Sequence, residues 1–380
     1  MAVQLKVGLV LDDTLDSTDG VQQYVINVGR WLEHRGHDVH YLVGQSHRQD
    51  IRNIHSLSRN VRVKFNGNNL SVPLPVKKKL ISDVLAPGFD ILHVQLPFSP
   101  MLAGRIIDSA DNLTALIGTF HIAPYNQLSR YGGVLLGAVT KRQIGRFDSV
   151  LAVSEPAALM AKQIYRCNSL VIGNCFDFRL FYTAKPYKRA QDRVEILFLG
   201  RLVKRKGCQT LLAAIALIER SSSGGLPAYR LTIAGDGPLK TDLELYVDNN
   251  GLKDYVRFVG YVDESIKPRY YASTDIAVFP SVGGESFGFV LVEAMASGRA
   301  AVVAADNPGY ASVLKAAPEL LFKAGDSASL AAKLKQLIYH NDLRRRFAQR
   351  GQAIARQYDQ DIIGQQLIDC YQDALHKRRA

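Results

Sequence analysis

The 380 residues, 47% of them hydrophobic, can build two cores and are too many for one ordinary domain. A formal net charge of +12 favours an anionic partner, whether nucleotide, nucleic acid or acidic lipid surface. There is no apolar run of about eighteen residues and no charged-then-apolar leader, so a cytoplasmic protein without a spanning helix is expected. The cysteines Cys167, Cys175, Cys208 and Cys370 match no metal-ligand spacing and read as reduced, passive thiols.

Along the chain, short apolar strands alternate with amphipathic helices. A strand at 5–11 leads into a helix at 21–35 that stops near Gly36, and strands follow at 39–43, 91–94, 115–119 and 149–153. A second set lies at 194–199, 229–234, 256–259, 276–279 and 300–304, and a helix over 361–376 follows a break near Tyr358 and Asp359. This predicts an α/β protein of two facing Rossmann-like, doubly wound parallel-sheet domains with an interdomain cleft. The boundaries fall at 1–178, a polar linker at 179–192 interrupted by Pro186, a second domain at 193–358, and a terminal helix at 359–380.

The densest chemistry lies between Gly283 and Gly298. Glu285 precedes an apolar run, Gly288 and Phe289 open it, and Glu293 stands eight positions after Glu285. At about 1.5 Å per helical residue the two acids would be roughly 12 Å apart, the reach from a sugar across a diphosphate to a ribose. The helix start between them offers unpaired N–H groups to an anion. An ordinary buried helix with two satisfied carboxylates is the bland alternative. Upstream, Gly200, Arg201 and Lys206 follow the strand at 194–199, and a planar donor fork with a point charge suits a diphosphate leaving group. Taken alone, such a loop is more often a solvated basic turn.

Four further features stay open on residues alone. Asp12, Asp13, Asp16 and Asp19 crowd the loop before Gly20; helix capping by Asp19 outweighs a metal cage, which needs convergent oxygens. His121 ends a strand, where a lone histidine is usually structural, and His93 reads as a core or strand-end histidine. Gly235-Asp236-Gly237-Pro238 lacks the third glycine of a dinucleotide fingerprint and is weak evidence for NAD. A helix over 76–85 would put Leu80, Ile81, Val84 and Leu85 on one face, with Lys77, Lys78 and Lys79 either solvated or set against an anionic membrane.

At Gly200–Gly207 and Glu285–Glu293 the chain resembles the family 4 retaining glycosyltransferases of GT-B fold, whose marks are a G-R-x3-4-K-G loop and an E-x-F-G-x4-E helix. Across nearly its full length it is similar to the bacterial phosphatidylinositol mannosyltransferases, through Asp19-Gly20-Val21-Gln22, Gly118-Thr119-Phe120-His121, residues 283–288 and Lys77–Lys79. The resemblance implies a hexosyltransferase moving mannose from GDP-mannose to a hydroxyl of a lipid or glycan. It places Arg201 and Lys206 on the diphosphate, Glu285 on sugar hydroxyls, Glu293 on the ribose and His121 beside the sugar. Gly20, Gly200, Ser286, Phe287 and Gly288 would complete the donor site, Asp16 and Gln22 would meet the acceptor, and the terminal helix would return to the first domain. Phe98, Ile122 and Asn126 replace the family's asparagine, threonine and lysine for the inositol phosphate, which leaves the acceptor open. No tightly bound cofactor is expected, and a divalent metal would stimulate at most. The enzyme would dock weakly on the inner face of the plasma membrane, with no nucleic-acid partner. A nucleotide-sugar isomerase of the same architecture is the alternative, with a Rossmann oxidoreductase and a nucleic-acid binder as weaker rivals.

Overall fold

Runs rich in Val, Ile, Leu and Ala with no polar alternation suit strands buried on both faces, and they form two parallel sheets here. The computed structural model describes residues 4–65, 68–74, 76–122, 127–187, 192–221 and 226–379. The chain divides into one unit of Met1–Phe176 with Gln360–Ala380, and a second of Asp177–Asp359.

The first unit runs β1 (Lys6–Leu11), α1 (Gly20–His34), β2 (Asp38–Val43), β3 (Ile54–Ser56), β4 (Asn60–Phe65), β5 (Asn68–Pro73), α2 (Lys78–Leu85), β6 (Ile91–Gln95), α3 (Leu102–Ser109), β7 (Ala115–Phe120), α4 (Gln127–Ile144), β8 (Ser149–Ala152), α5 (Glu155–Tyr165) and β9 (Leu170–Val171). Among the described residues its main sheet is seven-stranded, in the order β3-β2-β1-β6-β7-β8-β9, and β4 and β5 pair as a separate antiparallel ribbon. Every residue of β6 and β7 is buried. Strand order reverses between β1 and β6, and Asp12, just past β1, ties the two strand ends by accepting from Ser99 Oγ and, at 2.7 Å, from the Ala103 amide.

The second unit runs α6 (Phe178–Tyr182), β10 (Val194–Leu199), α7 (Cys208–Ser221), β11 (Tyr229–Ala234), α8 (Lys240–Asn249), β12 (Val256–Gly260), α9 (Lys267–Ala272), β13 (Ile276–Phe279), α10 (Phe289–Ala296), β14 (Ala301–Ala305), α11 (Pro308–Val313), β15 (Leu321–Phe322), α12 (Ser327–Tyr339) and α13 (Asn341–Ala355). Its sheet order, β12-β11-β10-β13-β14-β15, reverses between β10 and β13. In open α/β sheets ligands bind beyond the strand ends at such a reversal. The terminal helix α14 (Gln360–Arg379) belongs to the first unit. There Asp361 accepts from Trp31 Nε1 at 2.9 Å and pairs with Arg35 at 2.8 Å, while Arg378 pairs with Asp148 at 2.7 Å.

Three expectations change. The start of the segment read as linker is the helix α6, whose Phe181 packs on Tyr271 at 6.1 Å between ring centres, because its aromatic residues are worth more buried than extended. Asp19 holds the N-cap position of α1 with no side-chain cap bond; its backbone carbonyl accepts from Gln23 N at 3.0 Å. Helix α2 starts at Lys78, and Leu80 is 40% exposed beside the lysines while Ile81 is 2% exposed, so Leu80 leaves the apolar face assigned to it. The segment 221–225, whose serines and glycines predict a flexible loop, lies almost wholly outside the described residues.

Candidate functional site

In the second unit the loops following β10 and β13 flank the strand-order reversal and are joined backbone to backbone, with Val282 N donating to Arg205 O at 2.9 Å. The β10 loop leaves Gly200 and Arg201 at the strand end and turns through Lys204–Lys206. Lys206 Nζ reaches Glu285 Oε1 at 2.7 Å, Arg205 Nη1 reaches the same oxygen at 3.1 Å, and Ser281 Oγ donates to it at 3.0 Å. Tyr310 Oη in turn donates to Ser281 Oγ at 3.2 Å. Burial alone would raise the Glu285 pKa, but Lys206 and Arg205 more than offset it and the carboxyl sits below its ordinary value. It is therefore an ionised acceptor at neutral pH. All three donors meet at Oε1, and none of these bonds engages Oε2.

The residues between the two acids differ from the sequence expectation. Helix α10 begins only at Phe289, and Gly288 precedes it at φ 104°, a conformation that favours glycine. The helical ruler therefore applies only from Phe289 onward. The first-turn N–H groups of α10 lie next in the chain to Ser286, Phe287 and Gly288, where an anion is favoured. Glu293 is buried, paired with Lys267 Nζ at 2.8 Å and accepting from Tyr271 Oη at 3.3 Å, and Lys267 also pairs with Glu264 at 2.5 Å. Burial works to lower the Lys267 pKa, but its two carboxylates hold it above the ordinary value. Removing one partner of so buried a pair costs about 3–5 kcal/mol, because the other charge is stranded. Glu293 is thus fixed from inside the unit, and a ribose could reach only its remaining lone pairs.

The Gly235-Asp236-Gly237 turn serves packing. A β-carbon at Gly235 would collide with the Gly200 carbonyl, and Leu202 N donates to Asp236 O at 2.8 Å. These glycines let the β11 turn lie against the Arg201 loop, which accounts for the incomplete dinucleotide fingerprint.

In the first unit, His121 is buried just past β7. Its Nε2 lies 2.7 Å from Gln95 Oε1, the Tyr24 ring packs edge-on at 4.8 Å, and burial, with His93 nearby, pushes its pKa down to about 3. His93 bridges Tyr371 Oη at 2.7 Å and Thr119 Oγ1 at 2.6 Å, a core histidine as its position predicts. Gly20 opens α1 on the surface. Asp16 accepts from Ser46 Oγ at 2.6 Å and from His47 N at 2.9 Å; burial opposes this, but these bonds hold its pKa at about 2. Asp12 and Asp16 are thus turned to different partners. Gln22 is 3% exposed, and its buried Oε1 has no hydrogen-bond partner among the described residues. A buried carbonyl oxygen left unmatched is costly unless something else supplies the donor. Phe98 is stacked on Tyr165 at 4.9 Å, Ile122 is 41% exposed, and Asn126 lies outside the described residues. Lys77, Lys78 and Lys79 are exposed at the start of α2.

The structure therefore brings Lys206 and Glu285 into one cluster and keeps Glu293 in another. Sequence reasoning missed Arg205, Ser281, Tyr310, Lys267 and Gln95. Arg205 had a signal, since it sits inside the basic loop; the others are unremarkable residues that only the fold gathers.

Comparison with known families completes the assignment. Residues 183–354 match the profile described as "Glycosyl transferases group 1", and residues 18–179 match "Glycosyltransferase Family 4". A phosphatidyl-myo-inositol mannosyltransferase of Propionibacterium freudenreichii is 32% identical, over 97% of this chain and 94% of that protein. Its counterpart in Mycolicibacterium smegmatis is 30% identical over the same shares. Among solved structures, sucrose-phosphate synthase from Thermosynechococcus elongatus superposes with a TM-score of 0.75 at 19% identity, covering 98% of this chain and all of that one, at 100%. Anabaena HepE, crystallised with UDP and glucose, gives 0.73 at 19% identity over 96% and 99%. Fold and site define a glycosyltransferase of GT-B architecture. The chain belongs to glycosyltransferase family 4, and the bacterial phosphatidyl-myo-inositol mannosyltransferases are among its full-length relatives.

Proposed function

We propose that this enzyme moves mannose from GDP-mannose to a lipid hydroxyl, with retention at the anomeric carbon, on the cytoplasmic face of a membrane. The observation that carries the reading is the Lys206–Arg205–Glu285 cluster at the strand-order reversal, next to the start of α10. Cations there stabilise a departing nucleoside diphosphate more than the bound ground state, and an ionised Glu285 accepts from sugar hydroxyls. Arg201 and the α10 first turn would share the diphosphate, Glu293 the ribose, and an oxygen of the diphosphate would take the acceptor's proton. Mannose and a phosphatidylinositol headgroup are supported by full-length relatives of that name. The unmatched Gln22 oxygen supports a hydroxyl donor in the first unit. Phe98, in its aromatic stack, offers no polar contact to a headgroup phosphate, so this chain would hold its acceptor through other groups.

The test is product analysis. Purified protein incubated with phosphatidylinositol vesicles and a panel of GDP- and UDP-sugars should release GDP and add one hexose to the lipid, read by mass spectrometry, with the α-linkage read by NMR. Transfer from a UDP-sugar, or to a soluble glycan only, would overturn the donor or acceptor. Epimerised nucleotide sugar without transfer would decide for an isomerase.

Membrane docking has its own expected result. No helix among the described residues is long and apolar enough to span a bilayer. Lys77, Lys78 and Lys79 beside exposed Leu80 contribute about 1 kcal/mol per lysine near an anionic surface. Vesicle flotation should be weak and should fade as the Debye length shrinks below about 8 Å with added salt. Replacing the three lysines with serine should reduce flotation and leave GDP affinity unchanged; flotation indifferent to that change would return the segment to a solvated helix face.

A further inference from the structure

His121 has a partner that its own motif does not contain. Gln95 closes β6, is 1% exposed and lies in register with Thr119 of β7, two residues before His121. Its amide makes two bonds: Nε2 donates to His93 O at 3.2 Å, and Oε1 lies 2.7 Å from His121 Nε2. A backbone carbonyl can only accept, so the amide cannot be turned end for end without setting Oε1 against the His93 oxygen. An amide oxygen can also only accept, so His121 Nε2 must bear a proton. Burial keeps the ring uncharged, its pKa pushed down to about 3, and a neutral ring protonated on Nε2 carries its lone pair on Nδ1.

The surroundings hold this arrangement in place. His93 is itself fixed by Tyr371 and Thr119, and the Tyr24 ring packs on His121 at 71° between planes. The residue after Gln95, Leu96, is turned into the left-handed region at φ 53°, rare for a branched side chain, and its amide is bonded to Thr119 O at 3.0 Å. Strain of that kind persists where the surrounding structure over-determines it.

We propose that Gln95 is a positioning residue that locks His121 in the Nε2–H form, so that Nδ1 can act only as an acceptor. The lock stands on the structure of the first unit; its use in transfer rests on the reading of His121 as a sugar contact. A ring so fixed takes a hydrogen bond from a hydroxyl and gives none through Nδ1 to a phosphate oxygen.

The lock is read without substrate. Long-range 1H–15N correlation spectra of the full chain labelled with [15N]histidine, with His121 assigned through His121→Asn, should show a protonated Nε2 and an unprotonated Nδ1, unchanged from pH 8 to pH 5. Gln95→Met should replace this with the other tautomer or a mixture. Gln95→Glu, whose carboxylate accepts the same proton, should restore the Nε2–H form and raise the ring's pKa into the titratable range. A wild-type ring protonated on Nδ1, a charged ring at neutral pH, or a tautomer unchanged in Gln95→Met would each overturn the proposal. With GDP-mannose as donor, kcat of Gln95→Met should fall about fivefold to tenfold with donor KM nearly unchanged, the loss of one oriented hydrogen bond. Native kcat in a Gln95→Met protein whose spectrum has changed would overturn the positioning role. Native kcat in folded His121→Asn would instead overturn the reading of His121, and the spectrum would still judge the lock.

Discussion

Lys206→Ala should slow transfer about 10² to 10³-fold, the usual loss for one charge contact made to a leaving group in the transition state. Arg201→Ala should do the same, and Arg201→Lys should recover little, because the planar donor fork is lost. The structure adds a condition to this expectation. Lys206 Nζ is bonded to Glu285 Oε1, so the two side chains work as a unit and their removal should not be additive. Glu285→Gln should damage transfer and leave GDP binding nearly intact, since in the proposed reading the carboxylate serves the sugar. In Lys206→Ala the carboxylate keeps Arg205 and Ser281, so the protein should stay folded with a near-native melting temperature. The double variant Lys206→Ala with Glu285→Gln should be no slower than the worse single variant, within about threefold. Single-turnover rates and GDP calorimetry on the three proteins decide the matter. Fully multiplicative losses would separate the two residues into independent roles, and near-native turnover in folded Lys206→Ala would remove the cluster from the chemistry.

How much of this is legible in the chain depends on the length of the signal. β6, β7, β10 and β13 are mostly apolar runs because parallel strands are buried on both faces, so composition and length find them. β9 and β15 are two residues each, too short for any pattern, and exist only because a neighbouring edge offers them hydrogen bonds. The β4–β5 ribbon did carry a signal, the Asn66-Gly67 pair between alternating runs. At the site, the identity and spacing of Glu285, Glu293 and Lys206 are legible because they are sequence-local. The pairing of Lys206 with Glu285 is not, since it depends on β10 and β13 lying side by side. Nor is Lys267, which reaches Glu293 from the start of α9. Leu80 fails for a related reason: a helical wheel gives a face, but α2 is buried on only one narrow stripe through Ile81.

The first unit should lose stability steeply as pH falls below about 6.5. His93 and His121 are both held to a folded pKa of about 3 by burial, against an ordinary value of 6.5. Between those limits the unfolded chain takes up a proton at each ring that the folded chain refuses, so stability is fully present above 6.5 and drains away toward 3. Each ring contributes about 1.4 kcal/mol per pH unit, and from pH 6.5 to 4.5 the two remove up to about 5 kcal/mol, comparable to the whole stability of many domains. His37 and His55 are lowered by burial too and act in the same direction. Asp16, at about 2, begins to weaken the fold only below its ordinary value of 3.8. Asp12 acts the other way: burial holds its pKa above the ordinary value, so its protonation in the fold offsets part of the loss. The fall in the upper part of the window belongs to the histidines. Trp31, the single tryptophan, reports on this unit alone, packed in α1 with its Nε1 on Asp361 of α14. Its fluorescence in urea titrations between pH 7.5 and 4.5 should show the midpoint falling continuously below pH 6.5. Replacing His93 with glutamine, which keeps a donor and an acceptor and does not titrate, should flatten that slope by the share of one ring. A midpoint that holds steady to pH 4.5 would mean that both rings take up protons inside the fold, and the neutral His121 on which the Gln95 lock depends would go with it.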